Sequence, residues 1–180
     1  STTGICSVER MLPVGDAGHE RFDIAIVGAG PAGCAAALTA KRLGLRTVLF
    51  DRAEFPRDKT CGDGLTAQAL RLLHELGLDP TDLRADDPAA MGYRPVREVV
   101  LRSPSGRDVM LPLPGRGDFA GVISRRHLDM QLVVAVRAAG VEVHENSNVD
   151  AVEPRVNTTI VRAGTTSVEA TWTIAADGQW

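Results

Sequence analysis

The sequence predicts an α/β fold, because a β-branched run, a glycine-rich turn and a helix-prone segment follow one another directly. The run covers residues 22–27, the turn 28–33 and the helix-prone segment 34–43. Gly44 then ends the helix, and a second apolar strand follows at 46–50. This strand-helix-strand order is typical of a doubly wound domain built on a parallel sheet.

The residues of the glycine turn are those that suit a bound diphosphate. Gly28 allows a tight turn out of the strand, Gly30 lets the backbone approach a diphosphate, and Gly33 lets the helix pack closely on the sheet. Pro31 suits the first helical turn, because its missing N–H would lack an intrahelical partner there in any case. The free N–H groups and the positive end of the helix dipole would face the anion. The turn therefore predicts ligand contacts at Gly28, Gly30, Pro31, Ala32 and Gly33.

Asp51 stands at the carboxyl end of the second strand, where an acidic side chain accepts hydrogen bonds from ribose hydroxyls. A glycine-rich turn can also occur with no ligand. Here, however, the turn lies between a strand and a helix and is followed by an acid at a suitable distance. The unit therefore predicts a bound dinucleotide, without distinguishing flavin from nicotinamide.

The composition is that of an ordinary soluble globular protein, with 44% apolar and 24% charged residues among 180. The net charge is −3 and no basic cluster carries interleaved aromatic residues, so nucleic acid is not an expected partner. No run approaches the length of a transmembrane segment, although peripheral contact with a membrane stays open. The cysteines and histidines show neither disulfide-framework nor metal-ligand spacing, so we expect a reduced, cytoplasmic protein without a bound metal.

Residues 52–65 are predicted to form a loop, because they are rich in proline, glycine and charge. The loop leaves the strand that carries Asp51, so it should lie beside the ligand cleft. Within it, Cys61 is either a buried small residue or a thiol held near a ligand. An amphipathic helix over 66–76 and an irregular linker over 78–92 follow.

The middle of the chain predicts a second sheet. Two strand-like runs, 96–101 and 108–113, are joined by a Ser-Pro-Ser-Gly turn at 103–106 and predict an antiparallel hairpin. A hairpin inserted into a chain of parallel-sheet units indicates a sheet of its own. Residues 115–118 are then expected to form a mobile loop.

The last third of the chain predicts a helix followed by several strands. Ser124 can cap a helix that ends near Gly140. Arg125 falls in its first turn, where the helix dipole disfavours a cation, so either an anion lies nearby or the arginine is solvated. The β-rich segments after the helix are 141–144, 149–153, 158–163 and 168–173.

These elements predict a Rossmann-like nucleotide-binding domain that carries part of an antiparallel substrate-domain sheet. The predicted parts are a flexible leader at 1–20, a nucleotide-binding βαβ region at 21–92, the start of the substrate-domain sheet at 93–122, and a return to the nucleotide-binding domain at 123–180.

Four separated motifs resemble the amino-terminal part of one flavoprotein superfamily. They are residues 27–33, Asp51-Arg52, the R-x-x-L-D pattern at 125–129, and residues 175–178, which end in Asp-Gly. This superfamily includes p-hydroxybenzoate-hydroxylase-type monooxygenases, flavin-dependent halogenases and geranylgeranyl reductases. The loop sequence at 55–65 resembles the geranylgeranyl reductase branch, since the His and Gly-Glu-Ser of halogenases are absent there.

The resemblance implies that the cofactor is FAD rather than NAD. The cofactor contacts that it adds are Arg52, Cys61, Gly62, Arg125, Asp177 and Gly178. In this family Arg125, Asp177 and Gly178 would lie by the pyrophosphate, Arg52 would flank the adenine, and the Cys-Gly pair would lie near the isoalloxazine ring. Cys61 and Asp63 are candidate catalytic residues for the sole reason that their loop lies near that ring, and no acid or base is otherwise identified.

The resemblance also implies an FAD-dependent oxidoreductase, either a reductase or a monooxygenase, that acts on a hydrophobic isoprenoid or polyketide-like substrate in natural-product biosynthesis. NAD(P)H or another donor would supply the electrons. Two alternatives stay open, namely a cyclase that uses FAD structurally with no net redox change, and a nucleotide-binding fragment that is inactive alone. Family members are usually longer than this chain, so the remaining part of the same protein is an expected partner.

Overall fold

The structure is a computed structural model of the chain, and it describes residues 18–79, 92–113 and 119–178. Three predictions therefore fall partly or wholly outside the described residues. They concern the flexible leader at 1–20, most of the irregular linker at 78–92 and the loop at 115–118.

The described residues form strands and helices in an order typical of a mixed α/β fold. In chain order they are β1 (Glu20–Val27), α1 (Pro31–Arg42), β2 (Thr47–Phe50), β3 (Gly64–Thr66), α2 (Ala67–Glu75), β4 (Arg94–Pro95), β5 (Glu98–Arg102), β6 (Asp108–Pro112), β7 (Ala120–Val122), α3 (Arg125–Ala138), β8 (Glu142–His144), β9 (Ala151–Pro154), β10 (Thr159–Ala163) and β11 (Thr166–Ala175).

The central sheet contains six of these strands in the order β8-β2-β1-β11-β10-β9. Strands β8, β2, β1 and β11 run parallel, whereas β10 and β9 continue the sheet in antiparallel pairing. Strand β1 therefore has a parallel neighbour on each side, and its Ile26 lies opposite Leu49 of β2 and Ile174 of β11. This arrangement brings the carboxyl ends of β1, β2 and β11 to one edge of the sheet, which is where ligands of such sheets bind.

Helices α1 and α3 cover one face of this sheet. Leu49 belongs to the core cluster that also holds Leu38 of α1 and Leu132 of α3. Its neighbours Val48 and Phe50 belong to a second cluster, because successive side chains of a strand point to opposite faces. All of β2 is buried, as expected for a central parallel strand with both faces covered.

The middle of the chain forms two small antiparallel sheets. Strands β3, β7 and β4 make one of them, with β7 in the centre. Strands β5 and β6 make a separate hairpin in which every residue is exposed. Val99 and Leu101 lie opposite Leu111 and Val109 respectively, so one face of the hairpin carries a row of exposed apolar side chains.

The predicted fold class is confirmed, and the differences are local. Helix α1 begins at Pro31, in agreement with the prediction that this proline lies in the first helical turn. Strands β3 and β7 were missed, since each is three residues long and lies in a segment that resembles a loop in composition. The predicted cap of α3 is correct, with the Ser124 hydroxyl accepting a hydrogen bond from the His127 N–H.

The glycine turn is held by backbone contacts on two sides. A Cβ on Gly28, which has φ +103°, would overlap the carbonyl of Ala176 and would lie 2.7 Å from Cα of Asp177. A Cβ on Gly33 would overlap the carbonyl oxygen of Gly28. Both glycines are therefore required by packing, one against the residues that follow β11 and the other between α1 and the turn.

Gly33→Ala is expected to lower the free energy of unfolding by about 1–3 kcal/mol or more, because the added methyl meets rigid backbone. Gly64→Ala is the matched control, since its Cβ would have one contact, the Gly62 carbonyl oxygen at 3.8 Å. Urea unfolding followed by circular dichroism measures both variants. Equal unfolding midpoints for the two variants would contradict the assigned packing role.

Candidate functional site

The amino terminus of α1 is open on the side of Gly30. Gly30 is the N-cap residue, no side chain caps the helix there, and Pro31 is its first residue. Among the described residues, a Cβ built on Gly30 would meet Nη2 of Arg57 at 3.7 Å and Nη2 of Arg125 at 3.8 Å, and nothing else within 4 Å. A helix terminus and two guanidinium groups therefore border a space that suits an anion.

Asp129 forms ion pairs with the guanidinium groups of both Arg57 and Arg125. Its carboxylate is fully buried and accepts hydrogen bonds of 2.8 Å from Nε and from Nη2 of Arg125. Nη1 of Arg57 lies 3.0 Å from Oδ2 of Asp129, an ion pair without the alignment of a hydrogen bond. A buried carboxylate is costly unless it is paired in this way.

The pairing accounts for the unusual position of Arg125 in the first turn of α3. Its anionic neighbour is Asp129, one turn further along the same helix, so the alternative of a solvated arginine is wrong. The hydrogen bonds to Asp129 raise the pKa of Arg125 above its ordinary value, although burial opposes this shift. Arg125 therefore stays charged at the helix terminus.

Asp51 is buried beside the glycine turn and accepts two backbone hydrogen bonds. Its Oδ2 accepts from the N–H of Ala29 at 2.7 Å, and its Oδ1 accepts from the N–H of Ala53 at 2.9 Å. Oδ2 also lies 3.8 Å from Nη2 of Arg57. Each carboxylate oxygen keeps a further lone pair, so Asp51 holds the turn and can still accept a hydrogen bond from a ligand.

Asp63 attaches the charged loop to the start of α3. Its Oδ1 accepts the backbone N–H of Arg125 at 3.1 Å, and its carbonyl oxygen accepts the N–H of Ile123 at 2.9 Å. Asp63 has φ +54°, a left-handed conformation that is uncommon outside glycine. Cys61 is exposed, so the alternative of a buried small residue is wrong.

The remaining predicted contacts lie at the surface near the turn and its loop. The exposed residues of this set are Ala32, Arg52, Gly62, Asp177 and Gly178. Asp177 and Gly178 follow the end of β11, where the preceding residue, Ala176, donates its N–H to the carbonyl oxygen of Val27. The structure thus brings the end of β11 against the same turn.

Arg57 is the site residue that the sequence did not identify. Its guanidinium lies over the ring of Phe55, 4.8 Å from the centroid, and lies near both Asp51 and Asp129. The loop at 52–65 carries several charged residues, and no spacing indicates which of them turns inward. The one available signal is the aromatic residue two positions earlier, on which an arginine can stack.

Cys34 is a buried thiol beneath the turn. Its Sγ donates to the carbonyl oxygen of Ala29 at 3.3 Å. Burial raises the pKa of this thiol to about 12, and the nearby carboxylates of Asp129 and Asp51 act in the same direction. Arg57 opposes the shift. The Cys34 thiol is therefore kept neutral, as a small apolar group of the core.

In the part of the chain that the structure describes, no group of three or more His, Cys, Asp or Glu residues is placed to hold a metal ion. No helix in that part is long and apolar enough to cross a membrane.

Comparison with known families gives a match along nearly all of the chain. The family described as FAD binding domain matches residues 21–180. The chain belongs to this FAD-binding family. FAD is therefore the cofactor of the family, and the predicted resemblance to this flavoprotein superfamily is confirmed.

Relatives of this FAD-binding chain include several reductases. A menaquinone reductase of Mycolicibacterium smegmatis is 45% identical over 98 residues, which cover 54% of this chain and 22% of that protein. A digeranylgeranylglycerophospholipid reductase of Methanosphaerula palustris is 31% identical over 167 residues, covering 87% of this chain and 38% of that protein. The chain thus spans less than two fifths of the length of these relatives.

Solved structures give the same fold. A geranylgeranyl bacteriochlorophyll reductase-like protein from Thermoplasma acidophilum is 26% identical, with a TM-score of 0.68 over 89% of this chain and 40% of that chain. The myxobacterial FAD-dependent halogenase CndH is 23% identical, with a TM-score of 0.70 over 88% of this chain and 38% of that chain. At 23% identity, the similarity to CndH establishes the fold alone.

The site fits the diphosphate of the family's cofactor in its chemistry. Gly30 leaves room where a side chain would stand, the terminus of α1 has no side-chain cap, and two guanidinium groups border the same space. Guanidinium groups and helix amino termini are the usual partners of phosphate in proteins.

We expect iodoacetamide at about pH 8 to modify Cys61 and to leave Cys34 unmodified in the folded protein, because the thiolate is the reacting form. Both the burial of Cys34 and the raised pKa of its thiol, about 12, oppose its modification in the folded protein. Peptide mass spectrometry measures both sites, and the urea-unfolded chain, in which both react, is the control. Equal rates at Cys34 and Cys61 in the folded protein would contradict the burial of Cys34.

Proposed function

We propose that this chain is the FAD-binding part of a reductase that acts on a hydrophobic, isoprenoid-bearing substrate. The observation that carries the proposal is that relatives sharing 31–45% identity are named as reductases of menaquinone and of digeranylgeranylglycerophospholipids. Geranylgeranyl groups are isoprenoid chains. The halogenase likeness supports the fold alone, so reductase is preferred to monooxygenase.

In this proposal the diphosphate of FAD lies at the amino terminus of α1. Gly30 lets it approach, and the N–H groups of the first turn and the guanidinium of Arg125 face it. Asp177 and Gly178 would lie beside it, because the backbone that follows β11 packs against Gly28.

Asp51 would accept hydrogen bonds from the adenosine ribose through the lone pairs that its two backbone contacts leave free. Arg52, exposed and next in the chain, would flank the adenine. Gly28 and Gly33 would act indirectly, since they hold the shape of the turn on which the nucleotide lies.

FAD, when bound, supplies the electron chemistry of such an enzyme. Saturation of an alkene requires a proton in addition to a hydride, and Cys61 and Asp63 are the candidate groups on the loop beside α3. Cys61 is exposed and its thiol is a group that can donate a proton, whereas Asp63 fixes the loop by accepting a hydrogen bond from the Arg125 N–H. We therefore favour Cys61 as the proton donor and Asp63 as a positioning residue.

NAD(P)H or another reductant would supply the electrons, and the remaining part of the protein would supply the rest of the substrate pocket. A cytoplasmic location with peripheral contact to a membrane is consistent with an isoprenoid lipid as substrate.

The reductase proposal predicts that a geranylgeranyl glycerophospholipid reoxidises the flavin. The full-length protein, loaded with FAD, would be reduced with one equivalent of dithionite without oxygen and then mixed with the lipid. We expect the absorbance of oxidised flavin to return and the lipid to gain, by mass spectrometry, one H2 for each reduced flavin that is reoxidised. The fully saturated lipid is the control. If oxygen reoxidises the reduced flavin but the unsaturated lipid does not, that result would count against a reductase.

Gly30→Ala is predicted to weaken ADP binding by about tenfold or more without loss of stability, because the added methyl blocks the approach of a diphosphate to the backbone. The fold should tolerate this methyl, since it meets two guanidinium groups at ordinary contact distance. Gly64→Ala is the matched control. Calorimetric titration with ADP measures affinity, and an unchanged dissociation constant for Gly30→Ala would rule out this diphosphate position.

A further inference from the structure

We propose that Arg57 is a second binding residue for the cofactor diphosphate, alongside Arg125, and that buried Asp129 positions both arginines. The inference rests on the proposed diphosphate position at Gly30 and α1. It adds a residue that none of the sequence motifs indicated, and it assigns the charged loop a part in binding the adenine half of the cofactor.

The two guanidinium groups approach the same point. Nη2 of Arg57 lies 3.7 Å, and Nη2 of Arg125 lies 3.8 Å, from the position that a Cβ on Gly30 would occupy. That position is the one through which a diphosphate would approach the backbone of the turn. An anion there is therefore within reach of two cations from different parts of the chain.

The Nη2 group of Arg57 is available to a ligand. Its partner atom Nη1 faces Asp129 at 3.0 Å, whereas Nη2 lies 3.8 Å from Oδ2 of Asp51, beyond hydrogen-bond distance. One arm of the guanidinium is thus fixed by a buried carboxylate and the other keeps its N–H donors. The planar fork of arginine can make both contacts, which an ammonium group cannot.

The position of Arg57 is also fixed before any ligand binds. The guanidinium of Arg57 lies over the ring of Phe55, which is buried. The side chain of Arg57 is itself only 19% exposed. The side chain of Asp129 is 0% exposed, so water cannot take the place of the two arginines as its partners. Binding of an anion therefore requires little additional ordering of the side chain.

The test compares ADP with adenosine, which lacks the diphosphate. Arg57→Gln should raise the dissociation constant of ADP about ten- to a hundredfold, the loss expected for a charged hydrogen bond, and leave that of adenosine unchanged. Arg126→Gln is the matched control, because it makes the same charge change at an exposed position of α3. Calorimetric titration measures affinity, and circular dichroism checks that each variant is folded.

Arg57→Lys is the second variant, because it keeps a positive charge opposite Asp129 and so preserves the fold if the Gln variant does not. A lysine cannot hold Asp129 and a diphosphate at once, so ADP should bind more weakly and adenosine equally well. Unchanged ADP affinity in Arg57→Lys would overturn the inference, as would equal losses for ADP and adenosine in either variant.

Gly30→Ala separates this inference from the proposed cofactor position. If Gly30→Ala leaves ADP affinity unchanged, the diphosphate does not lie at α1 and both proposals fail. If Gly30→Ala weakens ADP while the Arg57 variants behave like Arg126→Gln, the role of Arg57 alone is overturned.

Discussion

The buried negative charge of Asp129 is the interaction on which the candidate site depends. An isolated carboxylate at 0% exposure would be strongly unfavourable, so the fold must bring cations to it. Arg125 reaches it from one turn earlier in α3, and Arg57 reaches it from the loop that follows β2. The carboxylate therefore connects a helix to a distant loop, and both arginines are fixed at the open end of α1.

The glycines of the turn lack a side chain for two different reasons, close packing and access for an anion. Gly28 and Gly33 lack a side chain because backbone atoms occupy the space where one would stand. Gly30 faces open space bordered by two charged groups, so its lack of a side chain serves access rather than packing. The three glycines of the turn thus have two different physical roles, which are packing for Gly28 and Gly33 and access for Gly30.

The sequence predicted the features that depend on local pattern. The β-branched run before Gly28, the apolar spacing of α3 and the cap at Ser124 each follow from a few adjacent residues. The inward turn of Arg57 depends instead on Asp129, a residue far away in the chain, and the local pattern offers only the nearby Phe55 as a signal for it. The short strands β3 and β7 were missed for the same reason, since each is stabilised by pairing with the other rather than by its own composition.

The sheet order has a consequence for synthesis on the ribosome. Strand β1 emerges early, but one of its two neighbours, β11, lies at the far end of the described chain. At about 5–20 residues per second, β1 waits on the order of ten seconds for that partner. Until then one edge of an apolar strand is unpaired, and the turn after it lacks the backbone against which Gly28 packs. Strand β1 is thus paired on both sides only after β11 has been made, and until then its unpaired edge is open to aggregation.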